Sequence, residues 1–205
     1  LEKVQYLLKN KKTVLLKKLQ EVFEIVADPF ADIRDEWQRF YSDHFKIAID
    51  FSETAIPAKP TNGSWRLIFI PIGLSLNSTL ATMRSKFKVS TYSENLDASI
   101  TVNTRTATKN YAVWVRYGVE PDSEYLGKST RDADMAGTIG VTILERLVLE
   151  VKYFVETGNH LDIKGLTFCT ASPHSDGYVP GVYFCPSTGK VEVGWGSVDY
   201  SSAAD

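Results

Sequence analysis

The stretch TIGVTILERLVLEVKYFVETG, residues 138–158, decides how this chain is read. Ile143, Leu144, Leu147, Val148, Val151 and Phe154 recur at three- and four-residue spacing, which places them on one face of an α-helix. Thr142 followed three residues later by Glu145 has the form of a capping box, and Gly158 stands where a helix takes a left-handed stop. Arg146 with Glu150, and Lys152 with Glu156, are four apart, so the spacing predicts ion pairs along a wet side. Strand-like segments on both sides of this helix make it the expected packing element of a mixed domain.

Two of those strands are strongly written. Trp65–Ile72, WRLIFIPI, reads as a buried strand, and Tyr111–Tyr117, YAVWVRY, is aromatic and β-branched with Arg116 its only charge. A short helix is expected at about 77–87, and edge strands at Val89–Tyr92 and Ser99–Asn103. After the central helix come Leu166–Ala171, Val182–Pro186 and Val191–Trp195. Centring a turn on Ser187–Lys190 would pair Phe184 with Val193 and Val182 with Trp195, on the face turned to the helix.

Upstream, residues 1–27 have the pattern of an amphipathic helix with its charge polarised along the chain. Residues 1–20 carry six Lys against one Glu, a net of +5; residues 21–36 carry six acids against one Arg, a net of −5. Asp28-Pro29 ends this helix, because proline lacks the N–H and restricts its predecessor. A second helix at about 30–46 presents Phe30, Ile33, Trp37, Phe40, Tyr41 and His44 on one face. The expected fold is therefore α+β: a helical hairpin at 1–47, a connector at 48–64 marked by Pro57, Pro60 and Asn62-Gly63, and an α+β domain at 65–200. In that domain a mostly antiparallel sheet of five or six strands packs on one main helix at about 140–157.

At 205 residues, 43% hydrophobic and 23% charged, the chain has the composition of a soluble globular protein. It can bury a core without metals or disulfides. The formal charge of −2 argues against nucleic acid or an anionic membrane as the main partner. No run approaches a transmembrane span, and the opening LEKVQYLLKN is amphipathic rather than leader-like. Cys169 and Cys185 lack metal-ligand spacing; two reduced, buried thiols in neighbouring strands are the favoured reading, over a disulfide or a catalytic role. That usage points to a cytoplasmic protein.

Candidate chemistry is sparse. His174 and Asp176, in the loop SPHSDGYVP at 172–180, have the types of a general base and its orienting carboxylate, although Asp176-Gly177 also makes an ordinary turn. Arg116 either pairs with Glu120 or Glu145 or receives an anionic ligand beside Glu120. The acidic loop at 118–137, net −3, lacks an EF-hand pattern, so no metal is expected. His44 is expected in the core or at its rim, and His160 at the helix C-terminus, where the dipole favours it. There is no phosphate loop, dinucleotide fingerprint, HExxH or nucleophile elbow, and no cofactor is implied.

YAVWVR at 111–116, TILERLVLEVKYFVETGNHLDI at 142–163 and SDGYVPGVY at 175–183 together resemble a family of uncharacterised bacterial proteins. The resemblance covers the C-terminal half and implies a bacterial origin and an α+β core, with no activity attached. Two functions follow as expectations. One is a binding or interaction module that meets a protein partner or a second copy through its N-terminal helices. The other is a small hydrolase or transferase that acts on an anionic substrate through Arg116, His174 and Asp176.

Overall fold

The computed structural model describes residues 11–19, 28–125, 140–173 and 178–197. The fold is α+β, and no described helix is long and apolar enough to cross a membrane. The chain divides into two compact units, Leu1–Glu36 and Trp37–Asp205. In the first, residues 11–19 form helix α1, and Asp28 caps the start of α2 (Ala31–Phe40). The Asp28 carboxylate accepts from the Phe30 backbone N–H at 3.0 Å and from Arg34 Nε at 2.7 Å. Most of the expected 1–27 helix, and with it the hairpin, lies outside the described residues.

The second unit begins with the aromatic end of α2, which continues through a π-helical turn, Tyr41–Phe45, and stops at left-handed Lys46. Beyond it lie β1 (Trp65–Ile70), α3 (Leu76–Arg84), β2 (Val89–Thr91), α4 (Leu96–Ser99), β3 (Tyr111–Arg116), α5 (Ile143–Thr157), β4 (Thr167–Phe168), β5 (Tyr178–Cys185) and β6 (Lys190–Ser197).

The strands form two sheets, not the single sheet expected. One pairs β1 with β3 antiparallel; the other has the order β2-β6-β5-β4, with β2 parallel to β6. Ser99–Asn103 is not a strand. Asn95 caps the short α4 by accepting from the Ala98 N–H at 3.1 Å, and α4 runs through Ser99. Here a local side-chain hydrogen bond outweighs weak strand propensity. The segment expected at 166–171 pairs only through Thr167 and Phe168.

The β5–β6 register also differs from expectation. Val182 faces Val193 and Phe184 faces Val191, with Cys185 opposite Lys190. The connection is a four-residue loop, Pro186–Gly189, in which the Thr188 and Gly189 N–H groups both donate to the Cys185 carbonyl. Gly189 at φ +63° supplies the left-handed residue that closes it. The slip is by two residues, so the side chains assigned to the inner face keep that face.

The β1–β3 sheet is covered on both sides. Leu67 and Phe69 meet aromatic groups: Trp37 Nε1 donates to the Leu67 carbonyl, the Tyr41 hydroxyl donates to the Phe69 carbonyl, and the Phe51 ring lies 5.0 Å from that of Phe69. The opposite face carries Arg66, which pairs with Glu156, and Tyr111, which donates to Glu145, so it is turned to α5. Helix α5 also packs against β5 and α3. Its start and stop follow local chemistry: Thr142 and Glu145 form the reciprocal capping box, and Gly158 at φ +71° ends the helix.

Its environment does not follow the expectation of a wet side. Surrounded by both sheets and α3, α5 buries Glu145, Arg146, Glu150 and Lys152 along with Leu147, Val148 and Val151. The two expected ion pairs are present, Arg146–Glu150 at 2.8 Å and Lys152–Glu156 at 2.9 Å. Arg146–Glu150 forms inside the protein, and Lys152–Glu156 joins a buried lysine to an exposed glutamate.

Candidate functional site

Of the four charges buried on α5, Glu145 belongs to one cluster and Arg146 and Glu150 to another. At the N-terminus Glu145 is fully buried and completely paired. It accepts from Arg105 Nε at 2.7 Å and Nη2 at 2.8 Å, from the Tyr111 hydroxyl at 3.0 Å and from the Thr142 N–H at 2.8 Å. Arg105 also donates to the Gly140 carbonyl at 2.6 Å. Nearby, the Ser172 hydroxyl donates to Asn103 Oδ1 and accepts from the Ile143 N–H. Every group named here has a partner within the protein, so this cluster ties the 101–110 segment and β3 to the helix start.

The second cluster runs from the middle of α5 to the residues just after it. Asp162, at φ +54°, accepts from Arg146 Nε at 3.1 Å and Nη2 at 2.9 Å. Arg146 Nη1 donates to Glu150 Oε2 at 2.8 Å, and the other Glu150 oxygen lies 2.8 Å from His160 Nδ1. Burial works against a charged Glu150, but the Arg146 guanidinium and the hydrogen bond from His160 outweigh it and hold the carboxyl below its ordinary value. Burial likewise opposes charge on Arg146, and the two carboxylates overcome it and raise its pKa. Since an ionised Glu150 only accepts, Nδ1 carries a proton and donates it to the carboxylate.

The imidazole is also fixed by stacking. Phe184 lies parallel to it at 4.2 Å and 7°, Phe154 at 5.0 Å and 28°, and Phe87 meets it edge-on at 4.9 Å and 86°. The Phe184 N–H donates to the Asp162 carbonyl, so the residue at the far end of the ion chain also holds the stacking ring. The expected role for His160, a partner for the helix dipole, is therefore replaced by a specific hydrogen bond to Glu150. The four-residue spacing marked the Arg146–Glu150 pair in the sequence, but nothing there showed that this side of α5 is covered.

The residues singled out from the sequence are placed differently. His174 and Asp176 lie outside the described residues. Arg116 does not pair with Glu120 or Glu145. Its guanidinium is 2.6 Å from Glu124 and 3.8 Å from Asp122, and it stacks over Trp65 at 4.6 Å. Gly63, at φ +85°, leaves the space the guanidinium fills; a Cβ there would collide with Nη1. Glu120 instead accepts from the Lys164 N–H at 3.0 Å. The two members of the expected anion site thus have separate partners, and Arg116 is engaged by carboxylates.

His44 lies at the rim, as expected, while the expectation of two buried thiols changes. His44 is half-buried, with Nδ1 3.2 Å from Lys86 Nζ; burial, then Lys86, lower its pKa. Cys169 is buried and Cys185 only half-buried, and no disulfide joins them. Burial pushes the Cys169 thiol up to about 12, whereas hydrogen bonds from Ser187 and Thr188 bring Cys185 down to about 7. Among the described residues no group of His, Cys, Asp and Glu has the arrangement of a metal site.

No family model, curated protein or solved structure matches the chain.

Proposed function

We propose that this chain is a binding and interaction module that associates through its N-terminal helices, with a second copy of itself as the partner. One observation carries the reading: Val14, Leu15, Leu16 and Leu19 are 57%, 59%, 51% and 43% exposed on α1. Four apolar side chains in nine residues form a patch of the kind that marks an interaction site. The aromatic side of α2 is not available in the same way, because Trp37 and Tyr41 already bond to β1.

Charge favours a second copy laid antiparallel. The +5 of residues 1–20 would then oppose the −5 of residues 21–36 in the other chain, twice by symmetry. In this organisation the 1–47 segment is the docking element and residues 65–200 the domain it serves.

Light scattering of the full chain across a concentration series tests the reading. The expected mass is twice 22.9 kDa, falling to one chain on Leu15→Glu with Leu19→Glu. A wild-type chain that stays at 22.9 kDa throughout the series overturns self-association.

A further inference from the structure

The ion chain that ends at His160 does more than hold the fold together. A buried Asp–Arg–Glu series is a weak source of stability, since desolvation offsets most of what its pairing contributes, and an apolar replacement of the same volume often does as well. Here the series has a direction. Asp162 fixes Arg146, Arg146 fixes Glu150, and Glu150 fixes one nitrogen of one imidazole. Three phenylalanine rings leave that imidazole a single orientation.

The other nitrogen is unused. Nε2 makes no hydrogen bond within the described residues, and the one buried, unpartnered side-chain polar atom among them is the Tyr92 hydroxyl. The His160 side chain is 14% exposed, and Nε2 is not among the fully enclosed unpartnered atoms. An imidazole with one nitrogen held by an orienting carboxylate and the other left unbonded beside half-buried apolar walls is the arrangement used for proton transfer.

We propose that His160 is a general base for hydrolysis of small esters with an apolar acyl group, with Glu150 as its positioning residue. Phe87, Phe154 and Phe184 form the wall beside which the acyl group would lie. In the step, a water oxygen bonds to the ester carbonyl carbon as Nε2 takes one of its protons. On collapse of the tetrahedral adduct the C–O bond to the leaving group breaks. The leaving oxygen departs with the electron pair and takes the proton back from the imidazolium, so ester and water become acid and alcohol.

The test uses the full chain with 4-nitrophenyl acetate as probe. Wild type is expected to exceed an equal concentration of free imidazole by on the order of 10²-fold. His160→Gln should lose that excess and His44→Gln keep it, while Glu150→Gln lowers kcat with KM unchanged. Wild type at the level of free imidazole overturns the proposal. So does His160→Gln that retains the rate, or loss of the excess in His174→Gln in place of His160→Gln.

Should His160→Gln fail to fold, diethyl pyrocarbonate on native wild type replaces it. Carbethoxylation of His160, located by peptide mass, must then track loss of hydrolysis; loss with His160 unmodified overturns the proposal. Self-association through α1 is read separately by mass, so either idea can fail without the other.

Discussion

Arg146 and Arg116 each stand between two carboxylates, the first in the interior and the second toward the rim. Arg146 lies within 2.9 Å of both Glu150 and Asp162 with its side chain 3% exposed. Arg116 reaches Glu124 at 2.6 Å and Asp122 at 3.8 Å with 34% exposed. Similar distances carry different consequences, because water screens the outer set and cannot reach the inner one. An inner charge left alone has no solvent to turn to, whereas an outer one does. The same contrast separates the thiols: burial withholds the charge from Cys169, and neighbouring hydroxyls share it at Cys185.

The largest effect that would break this interior-and-rim comparison is chemical. Iodoacetamide on the native chain should alkylate Cys185 faster than Cys169 by on the order of 10³-fold or more, followed by peptide mass. Comparable rates would remove the contrast. Next, Arg146→Met should lower unfolding free energy by about 3–5 kcal/mol in urea melts, because it leaves Glu150 and Asp162 buried without their cation.

Acid sharpens the interior half. The folded-state pKa of Glu150 lies below its ordinary 4.5, so its contribution to stability is present above about 4.5 and lost as pH falls through the lower folded value. The stability gap between wild type and Glu150→Gln should therefore narrow as melts are taken below that point; a gap independent of pH would count against an ionised Glu150. The smallest effect belongs to the rim: Arg116→Gln should cost about 0–1 kcal/mol, and less as salt is raised. A loss as large as that of Arg146→Met would mean the two arginines are not distinguished by water.

Much of the local structure was legible from the chain. Thr142 with Glu145, and Gly158, mark the ends of α5 because caps are made by neighbours in sequence. Trp65–Ile70 and Tyr111–Arg116 read as strands because β-branched and aromatic residues fit a pleated, buried surface. Even the Arg146–Glu150 and Lys152–Glu156 pairs follow from helical spacing alone. Of the site, the histidine was visible and its role was not. His160 meets Glu150 across ten residues and Phe184 across twenty-four, distances over which no periodicity speaks. Arg116 was visible as a charge on an apolar strand. Its choice of Asp122 and Glu124 over Glu120 was set by a loop path that also brings Glu120 to the Lys164 N–H.

By itself the sequence determined the strands β1 and β3, where α5 starts and stops, and which residues share its apolar stripe. Those properties come from interactions a few residues apart, and they survive in any surroundings. Only the tertiary structure decided that the six strands of the described residues divide into two sheets, that β2 runs parallel to β6, and that α5 is enclosed between them. Enclosure turned a presumed wet face into a buried chain of charges ending at His160. The physical reason is that a charge on a helix is indifferent to its surroundings until water is removed, and removal of water is settled by what packs on every side.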